Sequence, residues 1–325
     1  MKNPFVRFLV VILVIVGLIS VIRWAGGLIS DRNEEASSVL LSKNNILQLD
    51  LEGVIMNGKK FLKKLKKYKD ESKIKAVVIN INSPGGAVGP SQEIYAAIKK
   101  FREETKKPVI CSSSGLMASG AYYSAVACDK IVVAPGALVG SIGVIMEFAN
   151  LEKLYDWAKV SRYSITSGKF KDSGAEYRAM RPDEKSLFQD LINDVYGQFK
   201  QAVADGRNLK PDLVSQYADG RVMTGAQAVK LGFADSVGTL DDAFKVAAEA
   251  AHLGDDYKVY EIPKRKPSVW DFLEQQDDDD LNSVDEVAKH LLKGPSDKAI
   301  ENSVRKIFRA QYLNQPMYVM PGYWE

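Results

Sequence analysis

The sequence predicts an α/β protein with a mostly parallel central sheet, and three observations carry that expectation. Apolar strand-like runs alternate with amphipathic helical stretches at short spacing through the middle of the chain. Two of the strands lead into glycine-bearing turns and then into helices. The composition, 46% hydrophobic and 26% charged over 325 residues, is that of a chain able to bury a core.

Taken in order, Ile46 to Leu51 alternates apolar and polar residues as a half-buried strand does. Lys59 to Lys69 carries seven lysines around Phe61, Leu62, Leu65 and Tyr68, which fall on one helical face. Those lysines read as a solvated helix surface or as a contact with a membrane surface. Lys75 to Ile81 is a buried-strand run that breaks at Asn82 to Gly86, before a helix over about Ser91 to Glu104. Val109 to Ser113 is the next strand, Met117 to Ala127 the next helix, and Lys130 to Val133 another strand. Amphipathic helices are expected at Ser186 to Val203 and Asp241 to Ala251. Past Leu253 a basic cluster, Lys264 to Lys266, and an acidic one, Asp277 to Asp280, read as exposed linker. Helices are expected beyond them at Val284 to Leu292 and Ser303 to Tyr312.

The N-terminus has a different character. Phe8 to Ile22 is an uncharged apolar run of 15 residues, roughly 22 Å as a helix at ~1.5 Å per residue. With Phe5, Val6, Trp24 and Ala25 added, and Arg7 and Arg23 snorkelling, it approaches the ~30 Å of a bilayer core. Lys2 and Arg7 precede the run, whereas Asp31, Glu34 and Glu35 offset the cations after it. The charge bias thus predicts a single span in the plasma (inner) membrane, N-terminus in the cytoplasm and the remainder outside. A cleaved signal peptide is the alternative, weakened by the lack of a small-x-small site in the residues that follow. The expected organisation is an anchor over 1–25, a linker over 26–44, a catalytic domain over 45–253 and an extension over 254–325.

Counts narrow the chemistry. A formal charge of +3 gives no reason to expect nucleic acid. Cys111 and Cys128 lack metal-type spacing and read as buried small side chains, with a disulfide or a nucleophile as lesser readings. The only histidines, His252 and His290, fall late, which argues against a histidine metal site and a Ser-His-Asp triad in the main domain. No cofactor is called for.

Two turns could carry chemistry. Ser83-Pro84-Gly85-Gly86 is either a tight connection or a place where backbone N–H groups meet a ligand. The second, Gly115 to Tyr123, puts Ser119 at a helix start, as an N-cap or as a nucleophile facing free backbone donors. Gly86 and Gly120 would supply those donors. A serine nucleophile needs a base, and without histidine a lysine is the substitute, provided that it can lose its proton. Lys171, within Ser167 to Gly174, is the candidate, though a lysine there could equally be plain surface. It lies 171 − 119 = 52 residues from Ser119, so the chain must fold back or a second subunit must supply it.

Five segments in this order resemble the signal peptide peptidase A family. They are NSPGG (Asn82 to Gly86), ASGAYY (Ala118 to Tyr123), GSIGV (Gly140 to Val144), SGKFKD (Ser167 to Asp172) and ADGRVMTGAQAVKLGFAD (Ala218 to Asp235). The resemblance runs from about Asn45 to Ala251. It implies a Clp-protease/crotonase-like fold, with Ser119 as nucleophile, Lys171 rather than Lys169 as base, and Gly86 and Gly120 as oxyanion donors. It also makes Ser141 structural, and Asp219, Gly220 and Arg221 a fold or assembly signature. One copy of the motif set implies a short form, in which serine and lysine meet across subunits of a homo-oligomeric ring. The extension after Leu253 has no counterpart in the resemblance.

The function expected is that of a membrane-anchored serine endopeptidase cleaving hydrophobic peptides such as remnant signal peptides. An acyl-CoA hydratase or isomerase shares the fold, and an inactive scaffold or membrane-protein partner is the non-enzymatic alternative. The apolar tail, Gln315 to Glu325, is expected to pack as an extended segment on a groove, or to occupy the substrate channel, with Pro316 and Pro321 keeping it from coiling.

Overall fold

A computed structural model of the chain describes residues 45–262 and 316–320. The expectations for the anchor, the linker, the acidic run and the two late helices lie outside those residues. Among the described residues no helix is long and apolar enough to cross a membrane.

The expected parallel sheet is present. Its strands are β1 (Asn45–Glu52), β2 (Ile74–Asn82), β4 (Val109–Ser113), β6 (Lys130–Val133), β9 (Ser236–Val237) and β10 (Lys258–Glu261). They lie in the order β10-β1-β2-β4-β6-β9, every neighbouring pair parallel. Such a sheet buries both faces, so its strands alternate between two cores rather than between core and water. Leu47, Leu49, Val77, Ile79, Cys111, Ile131 and Val133 pack on one side. Ile46, Ala76, Val78, Ile110 and Val132 pack on the other, against Ala243, Phe244 and Ala247 of the helix Leu240–Ala250.

The helices α1 (Lys59–Lys67), α2 (Val88–Thr105) and α3 (Gly120–Ala125) follow the early strands, and the 26-residue Pro182–Arg207, here α5, comes after the short α4 (Glu152–Ala158). In α1 only Phe61 and Leu65 are buried, so its lysines lie on the outer face.

Two short strands matter more for the site. After β2 the chain turns at Ser83 and continues as β3 (Gly85–Ala87), and after β4 it continues as β5 (Leu116–Ala118). Parallel bridges at Ser83–Met117 and Ile55–Gly86 hold this second layer together. The helix expected over Met117 to Ala127 is therefore too long. Residues 116–118 are strand, paired with β7 (Leu138–Gly140), which pairs in turn with β8 (Val222–Thr224), and the helix starts only at Gly120. Apolar periodicity could not tell the two apart over so few residues.

Cys111 and Cys128 are buried, as expected, but joined in a disulfide with Cα atoms 5.9 Å apart. Spacing along the chain carried no signal of it, because the pairing depends on β4 and the end of α3 lying side by side. Two strands come from beyond Leu253: β10 at the sheet edge, and β11 (Met317–Val319), which pairs antiparallel with β3.

Candidate active site

Ser119 sits at the junction of β5 and α3 with φ 52° and ψ −118°. A side chain costs about 1–3 kcal/mol in such a region, so the turn is held by its surroundings. Its N–H donates to the Gly140 carbonyl at 2.7 Å, and the Ala118 N–H donates to the Ser83 carbonyl at 3.1 Å. The hydroxyl makes no capping bond, is buried at 1% exposure, and has no hydrogen-bond partner among the described residues. A buried hydroxyl without a partner is costly and rare. The N-cap role therefore fails, and the serine oxygen is left buried and unengaged among the described residues.

Beside it lie the two expected donors. A Cβ built on Gly120 would lie 3.2 Å from the Gly86 nitrogen and 3.1 Å from the Tyr318 carbonyl oxygen. One built on Gly85, where φ is +94°, would lie 2.5 Å from the Gly120 nitrogen and collide with the same Tyr318 oxygen. The Gly86 and Gly120 nitrogens thus lie near one carbonyl, and a side chain at Gly85 would block its approach. As the first residue of α3, Gly120 has an N–H without an intrahelical partner, pointing out of the positive end of the helix.

The carbonyl belongs to the tail. In the antiparallel register Tyr318 stands opposite Gly86, with Val88 N–H donating to the Pro316 carbonyl at 3.4 Å and Met320 N–H to the Pro84 carbonyl at 2.9 Å. Hydrogen-bonded pairs recur every second residue in such a ladder, so Tyr318 and Gly86 form the one between them, Gly86 N–H toward the Tyr318 oxygen. On its other edge Met317 exchanges both backbone bonds with Ile145, at 2.9 and 3.0 Å. The tail is thus the middle strand of a groove, the geometry of strand addition. The Tyr318 ring is fully buried, stacked on Tyr123 at 5.2 Å and tilted against Phe199 at 4.7 Å, while its hydroxyl donates to the Val195 carbonyl at 3.1 Å. Burial pushes that phenol's pKa up.

The Gly85–Gly86 turn and the Ser119 turn fall within two matched regions. The sequence pattern of Peptidase family S49 matches residues 101–254, and that of Clp protease matches residues 31–137. A Synechocystis sp. protein, provisionally named a protease, is 42% identical over 216 residues, which are 66% of this chain and 77% of that protein. The chain belongs to the signal peptide peptidase A family of serine peptidases. Arabidopsis thaliana has a chloroplastic serine protease of that name, 33% identical over 76% of this chain. Protease 4 of Salmonella typhi is 34% identical over 56% of it. The chain spans only 37% and 29% of those two longer proteins.

For a serine peptidase of this family one expected residue stays apart. Lys171 is exposed in a turn after Gly168, and the partnerless Ser119 hydroxyl means that it does not reach Ser119 within the described chain. Around that turn lie exposed apolar side chains: Leu154, Trp157, Val160, Tyr163, Ile165 and Phe170. Ser141, like Ser119, takes a positive φ of 52°, and its N–H donates to the Arg221 carbonyl at 2.9 Å. The Gly220 N–H donates to the Ile142 carbonyl, so the Asp219 to Arg221 segment braces the loop that follows β7. The Asp219 carboxyl, held by the Arg221 side chain and backbone, falls to about 2.

Sequence reasoning missed Ile145, which forms the outer wall of the groove through its backbone alone and so leaves no side-chain signature. It also missed the Tyr123–Phe199 pocket, whose two rings come from helices 76 residues apart, 199 − 123.

Proposed function

We propose that the chain is a membrane-anchored serine endopeptidase in which Ser119 is the nucleophile, Lys171 the general base, and the Gly86 and Gly120 N–H groups the oxyanion donors. The observation that carries the reading is the Tyr318 carbonyl beside those two donors, next to a strained serine with an unused hydroxyl. Put a substrate carbonyl where Tyr318 now sits, and the chemistry follows. The Ser119 oxygen attacks the carbonyl carbon while its proton passes to neutral Lys171. The oxyanion is met by Gly86 and Gly120, donors already oriented before charge develops. The C–N bond breaks, the departing amine takes the proton from Lys171, and water repeats the sequence to release the acyl group.

Lys171 comes from a second copy in a homo-oligomeric ring. The partnerless Ser119 and the exposed apolar side chains around the Lys171 turn support this. The substrate is an extended apolar peptide, such as a signal-peptide remnant, with an aromatic or large apolar side chain entering the Tyr123–Phe199 pocket. The uncharged run Phe8 to Ile22 supports a single membrane span and an extracytoplasmic catalytic domain. Hydrolysis of a hydrophobic peptide by wild type, Ser119→Ala and Lys171→Ala tests the reading, and an active Lys171→Ala would overturn the base.

A further inference from the structure

The turn that carries Lys171 is exposed, yet the backbone on both sides of that residue is tied to one buried point. Glu184, in the first turn of α5, is fully buried. Its carboxylate accepts a forked pair from Arg178 at 2.9 and 2.5 Å, an Arg181 guanidinium contact at 2.8 Å, and the Arg181 backbone N–H at 2.9 Å. A carboxylate so deep needs that many donors to stay charged.

Both arginines have donors to spare, and they use them on the turn. Arg178 donates from Nε to the Asp172 carboxylate at 3.2 Å and from its terminal nitrogen to the Asp172 carbonyl at 3.1 Å. Arg181 donates to the Lys169 carbonyl at 2.7 Å. Lys169 itself pairs with Asp183 at 2.7 Å. Residues 169 and 172 are thereby fixed, and Lys171 projects from between them.

We infer that Arg178 and Arg181, seated on Glu184, are positioning residues that hold the Lys171 backbone for proton transfer. The inference rests on Lys171 being the base. A lysine acts from the end of a flexible four-carbon stem, so its reach is defined only if its backbone is. Small losses of alignment are costly, since a misplacement of ~1 Å can cost about a hundredfold in rate.

The test uses the full-length protein with Arg178→Ala, Glu184→Gln and Lys171→Ala assayed side by side on a hydrophobic peptide. Arg178→Ala should lower kcat by about ten- to a hundredfold and change KM by less than about twofold, because the groove is untouched. Low concentrations of guanidinium chloride should restore part of that kcat, whereas methylammonium should not, because only the planar fork spans Glu184 and Asp172. Arg102→Ala breaks an ion pair with Asp129 that touches none of these residues, and it should keep the wild-type kcat. Should Arg178→Ala fail to fold, the near-isosteric Glu184→Gln reads the same kcat-against-KM split. Wild-type kcat in both variants, or an Arg178→Ala loss that guanidinium does not repair, overturns the inference while Lys171→Ala stays inactive. An active Lys171→Ala instead fails the base itself, and the two failures are told apart in one experiment.

Discussion

Tyr318 and Gly86 stand opposite each other in an antiparallel pair, and that pairing brings a tail carbonyl to the donors that the sequence assigns to an oxyanion. The tail is extended and paired on both edges, with one carbonyl near the nitrogens of Gly86 and Gly120. A groove that accepts this segment accepts others of the same kind, because most of its bonds are made to backbone.

The first prediction concerns the dyad. Ser119→Ala and Lys171→Ala should each lower kcat by on the order of 10⁴-fold or more, since members of a coupled nucleophile–base unit fail together. Ser141→Ala and Lys169→Ala should keep most activity. Steady-state hydrolysis of a hydrophobic peptide, with circular dichroism to verify the fold, checks all four.

A second prediction follows from the unpartnered Ser119 hydroxyl. If the lysine comes from a neighbour, mixing inactive Ser119→Ala with inactive Lys171→Ala should restore activity in rings that place an intact serine beside an intact lysine. No recovery after verified subunit exchange would favour a dyad within one chain.

The third prediction is a stability one. Arg178 and Arg181 hold the Glu184 carboxyl at about 2, below the ordinary carboxylate value of about 4.3. A depressed carboxyl stabilises the fold above its unfolded pKa and loses that contribution as pH falls through the folded one. Glu184→Gln should therefore melt below wild type at neutral pH, and the gap should narrow between about pH 4.5 and pH 2. A gap in Tm that stays constant down to pH 2 would contradict the ion-pair account.

Much of this site could be read before any coordinates. The strands at 109–113 and 130–133 fall where periodicity put them, because buried parallel strands leave dense apolar runs. Ser119 and the two glycines were legible as turn chemistry between strand and helix. What was not legible is what depends on distant segments meeting. Arg178 and Glu184 look like ordinary surface charges until the segment before α5 folds its arginines over the carboxylate, and the Cys111–Cys128 bond needs β4 beside α3. Strand β5 hid inside an expected helix because three apolar residues carry no period of their own.

The tail gives the last prediction. Tyr318 is fully buried between Tyr123 and Phe199, and its carbonyl lies beside the Gly86 and Gly120 nitrogens, the proposed oxyanion donors. On the proposed mechanism peptide and tail would need the same ground, and the tail would compete with substrate. A tethered competitor acts at an effective concentration that can reach about millimolar, well above a dilute peptide. Deleting residues 315 to 325 should therefore lower KM for small peptides, or raise their hydrolysis at fixed concentration, without changing the oligomeric state. Tyr318→Ala should act in the same direction but less strongly, because it removes the aromatic anchor and leaves the strand pairing with Gly85 to Ala87. Size-exclusion chromatography with peptide kinetics on both variants checks this, and an unchanged KM and rate at an unchanged oligomeric state would rule out competition by the tail.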